Sequence, residues 1–206
     1  MRGAPLRTLV AAACCAVAVA ACQAAPEASP GASDRGDGAG APFDLTVEDI
    51  VIVGMDNAGI LGVAGTPPSD AAAAAAVSAA RDALGAFLNA QLVDEATRFS
   101  AAPVDQLLSA RARATASEND RAGLGQVDLP VARTITGPAS AVAEVLLHGE
   151  EVHAVTLSFN ALLTVELAGG TASAAKQSGA MTFLPTEEGW RADAVEVTIE
   201  LPEGAP

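Results

Sequence analysis

Between residues 152 and 167 the side chains alternate in character. Val155, Leu157, Phe159, Ala161, Leu163, Val165 and Leu167 are apolar, and Thr156, Ser158, Asn160, Thr164 and Glu166 stand between them, with Leu162 the one apolar residue of the second set. Successive side chains of a strand point to opposite faces, so a period of two predicts one long strand with a buried face and a mostly wet face. A sheet that is dry on one side only is the habit of antiparallel strands. The rest of the chain has to supply an apolar layer for that dry face.

Residues 70–93 supply it. Thr66-Pro67-Pro68-Ser69-Asp70 reads as a helix start, because proline stops the preceding element and Ser69 or Asp70 caps the free N–H groups. Val77, Leu84, Phe87, Leu88 and Leu92 then recur at spacings of three, four and seven, which makes one apolar stripe, and Ser78, Arg81, Asp82 and Asn89 take the other side. Such a helix packs on a sheet and is not a membrane helix. Short helices are expected at 103–108 and after Ser117, where Ser117-Glu118-Asn119-Asp120 is a capping sequence and Gly123 a stop. Further strands are expected at 131–136, 141–147, 180–184 and 190–201, and a short hairpin over 45–53 and 60–64 turns through residues 55–59. In the last strand Trp190, Ala192 and Ala194 share one parity, whereas Val195, Val197, Ile199 and Leu201 share the other. A bulge or bend near residues 193–195 accounts for the change.

The order is therefore a long amphipathic helix, one or two short helices and an antiparallel meander. This is an α+β arrangement, a long N-terminal helix packed on one face of a curved antiparallel sheet. Over about residues 69–201 it resembles the NTF2-like (cystatin-like) cone fold. Gly179-Ala180-Met181-Thr182-Phe183-Leu184, followed by Glu188-Gly189-Trp190-Arg191-Ala192-Asp193, is similar to that family's closing hairpin, in which the penultimate strand turns through a Gly-Trp-basic run into the last. The hairpin at 44–64 lies outside the family's usual pattern. The rival arrangement is an antiparallel half-barrel with helices in its concave face.

The first 22 residues carry an address. Arg2 and Arg7 precede an apolar run over residues 9–21, and small residues close it, which describes a secretory signal. The run falls short of the roughly 20 residues needed to span a bilayer, and Glu27, Asp34 and Asp37 follow it instead of a basic flank. Its end, Val19-Ala20-Ala21-Cys22, resembles the bacterial lipobox. That resemblance implies cleavage before Cys22, a diacylglyceryl thioether on its sulfur and anchoring on the outer face of the cell membrane. Cys14 and Cys15 lie inside the apolar run and are weaker candidates. Residues 1–21 then form the signal peptide and take Cys14 and Cys15 with them, so the mature domain has no disulfide and is held by its core alone. Residues 22–42, rich in Pro, Gly, Ser and Ala, form a linker that spans roughly 25 Å as a flexible coil. Its Arg35-Gly36-Asp37 tripeptide reads as chance. Residues 43–202 suffice for a single α+β domain that buries roughly 70% of its unfolded surface.

The chain has 11 basic and 25 acidic residues, a net charge of −14. Loss of the signal removes only Arg2 and Arg7 among charged residues and makes the balance two units more negative. Such a surface repels phosphate backbones and anionic headgroups, which argues against a nucleic-acid partner and holds the tethered domain off the bilayer.

Two constellations invite a chemical reading. His148 and His153 flank a turn with Glu150 and Glu151, ligand types that bind zinc or copper. A solvated hairpin tip is the simpler reading, and neither metal nor cofactor is expected. His153 also shares the parity of the apolar face, which would make it a general base in a cone-shaped pocket with Asp193 as its partner. No nucleophile elbow or phosphate loop occurs, and Gly123-Leu124-Gly125 lacks the further glycine of a dinucleotide loop. One Trp, five Phe and no Tyr make a poor stacking platform. The expectation is a non-enzymatic accessory or interaction domain on a lipid anchor. The alternatives are a carrier of an apolar small molecule or lipid in the sheet cavity and an NTF2-like enzyme using His153. Whether the concave face is filled separates the first two.

Overall fold

A computed structural model describes residues 42–55, 61–63, 70–128, 131–148 and 151–201. The signal, Cys22, nearly all of the linker, the 56–60 turn, the Pro67-Pro68-Ser69 helix start and Glu150 lie outside the described residues.

The chain runs through β1 (Leu45–Met55), β2 (Leu61–Val63), α1 (Asp70–Leu88), a wider helical turn (Asn89–Val93), α2 (Ala101–Leu107), α3 (Ala110–Thr115), α4 (Glu118–Gly123), β3 (Val131–His148), β4 (Glu151–Leu167), β5 (Ala172–Thr186) and β6 (Gly189–Glu200). The strands form one six-stranded sheet in the order β2-β1-β3-β4-β5-β6. From β3 to β6 each strand pairs antiparallel with the next, as the alternation predicts. The fold class is α+β.

The expectation of a wholly antiparallel sheet is corrected at one position: β1 runs parallel to β3. Parallel neighbours need a long crossover, and here β2 and all the described helices lie between the two strands in the chain. β2 returns antiparallel on the outer side of β1, so the N-terminal hairpin forms and then joins the sheet as its margin. The two strands expected at 131–136 and 141–147 are one, with its ladder shifted between Thr136 and Ala139. Gly137 and Pro138 stand at that shift, where the N–H that proline lacks costs the ladder little. β5 begins at Ala172, earlier than expected, because its first half carries Ala, Ser, Lys and Gln rather than large apolar residues.

α1 covers the dry face. Along α1, Ala73, Ala76, Val77, Ala80, Leu84, Phe87 and Leu88 are buried, on the expected stripe. From the sheet Leu157, Phe159, Met181 and Phe183 meet them, each at most 2% exposed. The segment Ala71–Val93 is long and apolar enough to cross a membrane by length and composition, but its stripe belongs to this core. Past Leu88 the helix widens: the Asp94 N–H bonds the Asn89 carbonyl five residues back at 2.9 Å, and Gln91, Leu92 and Val93 are all buried. Asn89 ties this turn to β1 by accepting from the Phe43 N–H (2.6 Å) and donating to the Gly85 carbonyl (2.9 Å).

Glycine is required where backbones touch. A Cβ on Gly179 would lie 2.1 Å from the Glu196 carbonyl oxygen, and its φ of +149° disfavours any side chain. That residue lets β5 curve beside Phe159, its cross-strand neighbour.

Candidate functional site

The parity change in the last strand marks a bulge. Thr182 pairs with Ala194 and Phe183 with Ala192, which leaves Asp193 as the extra residue. The bulge turns its carboxylate onto the helical layer, where it accepts from Ser109 Oγ at 2.7 Å and from Arg111 through Nε at 3.1 Å and through Nη2. Ser109 also caps α3, since its Oγ accepts from the Ala112 N–H (3.1 Å), and its own N–H donates to the Ala192 carbonyl (2.8 Å). Asp193 is 11% exposed and Arg111 72%. The Arg111 and Ser109 hydrogen bonds hold the Asp193 carboxyl below its ordinary range. An ionised carboxylate with these donors in place clamps α3 to β6 and is a poor proton acceptor. Beside it Leu108, Ala112, Leu124 and Val195 line an open cleft of about 230 Å³.

Asp193 does not meet His153. Although His153 has the parity of the buried face, it is exposed, because the β4–β5 ladder ends at Val155 and Phe183. Its neighbour is His148, ring centroids 6.5 Å apart and edge to face. Glu151 is exposed on the same hairpin. Among the described residues no three His, Cys, Asp or Glu side chains gather as a metal site.

Trp190 is half-buried in a surface cleft of about 140 Å³ that it shares with Phe87, Pro103, Gln106 and Leu107. It lies on the helix-facing side of β6, at the rim where α1, α2 and β6 meet, and packs against the edge of the core. Inside, the concave face is occupied by the packed side chains of α1, the Asn89–Val93 turn, the ends of α2 and α4 and the sheet: Leu84, Leu88, Leu92, Leu108, Leu124, Leu147, Leu157, Phe159, Met181 and Phe183 are all at most 2% exposed.

Within that interior are two buried glutamines that the sequence reading missed. Gln91 is fully buried, and among the described residues neither its Oε1 nor its Nε2 has a hydrogen-bond partner. Gln177 donates through Nε2 to the Gly123 carbonyl (3.0 Å), and its Oε1 has no partner among the described residues. The signals were present. Gln91 falls seven residues after Leu84 on the helix stripe, and Gln177 shares the parity of Ala175, Gly179 and Met181. The two amides flank the Gly123-Leu124-Gly125 turn, since a Cβ on Gly125 would touch the Gln91 side chain at 3.3 Å. Comparison of the chain with protein-family models, curated proteins and solved structures finds no match.

Proposed function

We propose that the chain is a membrane-tethered extracytoplasmic lipoprotein, anchored through Cys22, whose domain is a non-enzymatic accessory or interaction module. The observation that carries the second half is the filled interior: Leu84, Leu88 and Leu92 occupy the concave face against Leu157, Phe159 and Met181, all at most 2% exposed. A carrier of lipid or another apolar molecule needs several hundred Å³ of apolar space in that place. The described clefts are instead open ones along the margins of the helical layer. The clamp on Asp193 and the exposed position of His153 leave the enzyme reading without its acid–base pair. The Val19-Ala20-Ala21-Cys22 sequence and the acidic linker that follows support the tether.

We read the domain as an NTF2-like cone. α1 across the inner face of the meander, the Gly189-Trp190-Arg191 closing hairpin and the bend at Asp193 support that reading, and the β1–β2 margin is an addition to the pattern. Membrane fractionation tests the tether. The wild-type protein is expected in the membrane with an acylated N-terminal Cys22, and Cys22→Ser is expected in the soluble fraction or with its signal uncut. An unmodified Cys22 in the mature protein would sink the proposal. Trp190 fluorescence tests the module, because a saturable shift on adding fatty acid or phospholipid would put a carrier first.

A further inference from the structure

The two margins of the sheet are finished differently. At β6 the helical layer covers the edge: the Ser109 N–H bonds the Ala192 carbonyl (2.8 Å), Leu108 makes a parallel bridge to Ala192, and the end of α4 lies so close that a Cβ on Gly123 would be 2.0 Å from the Val197 carbonyl oxygen. At β1 the cover is partial. β2 pairs only with residues 53–55, so residues 45–52 have no strand on their outer side among the described residues. A row of unpaired backbone groups is a template for another strand. At its centre Ile50 is 43% and Val51 46% exposed, and the Ile50 N–H donates to the Asp49 carboxylate at 2.8 Å, a bond that an added strand has to displace.

We propose that the 45–52 edge of β1 receives an extended, basic segment of a partner protein, which adds to the sheet as a further strand. This rests on the interaction-module reading and names its surface. Charge selects the occupant. Asp44, Glu48 and Asp49 lie along the edge, and Glu144 is the β3 neighbour of Val51. None of the four has an ion-pair partner among the described residues. A second copy would bring the same acids and, with its signal removed, a net charge more negative than −14 to the contact, whereas lysine or arginine at alternate positions would meet them. Ile50, on the opposite face from Val51 and Glu144, favours aliphatic residues between the basic ones. At the start of the strand a cleft of about 320 Å³, with Phe43, Asp44 and Leu45 on one wall and Arg81, Asp82, Gly85 and Ala86 of α1 on the other, leaves room for an anchoring side chain, and Arg81 is paired with Asp82. Main-chain hydrogen bonds supply affinity in this mode and alternate side chains supply selectivity.

The test uses the lipidated protein in nanodiscs of neutral phosphatidylcholine and a blocked nine-residue peptide alternating Lys and Val. Binding is expected to saturate and to slow amide exchange in residues 45–52 about tenfold, because paired amides open less often. The same peptide N-methylated at alternate residues keeps its charge and cannot pair, so it is expected to bind about tenfold more weakly and to protect nothing. Glu48→Gln with Glu144→Gln is expected to weaken binding several-fold at low salt. Equal binding of both peptides with unchanged exchange would reduce the effect to charge attraction and overturn the proposal. Protection at 189–200 instead would overturn it as well. So would protection of 45–52 without peptide that grows with protein concentration, which would make the occupant a second copy. These outcomes refute the edge and leave the module reading standing; a resident apolar ligand refutes the module reading itself.

Discussion

Gln91→Met is expected to make this protein more stable, against the usual direction of core substitutions. Gln91 is fully buried, and both of its amide atoms are without partners among the described residues. A buried polar group without a hydrogen bond costs about 1–3 kcal/mol. Methionine has nearly the same length and flexibility, so the fit costs less than about 1.5 kcal/mol. The net expectation is a gain of about 1–2 kcal/mol, or roughly 3–6 °C in Tm for a domain of this size. Gln177→Met is the internal control. It also removes an orphaned oxygen, but the Gly123 carbonyl loses its donor at 3.0 Å, so a loss of about 1 kcal/mol is expected. Urea unfolding followed by Trp190 fluorescence reads both, since that is the only Trp in the chain. If Gln91→Met lowers the midpoint, the amide is engaged and the interior is not the dry, filled core described above.

Leu88→Asp places a charge where the side chain is fully buried on α1; a loss of more than about 3 kcal/mol is expected in the same assay. Gly179→Ala forces a Cβ to 2.1 Å from the Glu196 carbonyl oxygen at a positive φ, and calorimetry should show a loss of at least about 2 kcal/mol. Asp193 has a folded-state pKa below the ordinary 3.8 because Arg111 and Ser109 donate to its carboxylate. Its contribution is therefore fully present above that ordinary value and is lost as the pH falls through the lower folded-state value. Urea midpoints taken from neutral to acid pH should fall less steeply at the acid end for Asp193→Asn than for the wild type. Asp120, lowered by the Ser117 cap, keeps part of the decline in both.

The sheet was legible where one face is dry and the other wet. The alternation from Val155 to Leu167 marks β4 almost to its ends, and the parity change after Ala194 places the bulge that the structure has at Asp193. The α1 stripe was equally plain. Hidden were features set by tertiary context. Nothing local in Leu45–Met55 says that the strand lies parallel to β3, because parallel and antiparallel edges share one alternation. The first half of β5 hid its strand behind small residues. α3 buries only Ala112 and so has no stripe to read. His153 misled because parity assigns a face but not whether anything covers it. The buried glutamines followed the apolar period, yet their polarity hid them. Cys22 rests on sequence alone, outside the described residues.

The central claim is a lipid-tethered domain whose interior is full. Native mass spectrometry of the protein extracted from its membrane tests it most directly. The account predicts a chain that begins at Cys22, carries covalent acyl mass on that residue and holds no other apolar molecule. A stoichiometric lipid or other apolar ligand retained by the folded domain, or an N-terminus other than an acylated Cys22, would contradict it.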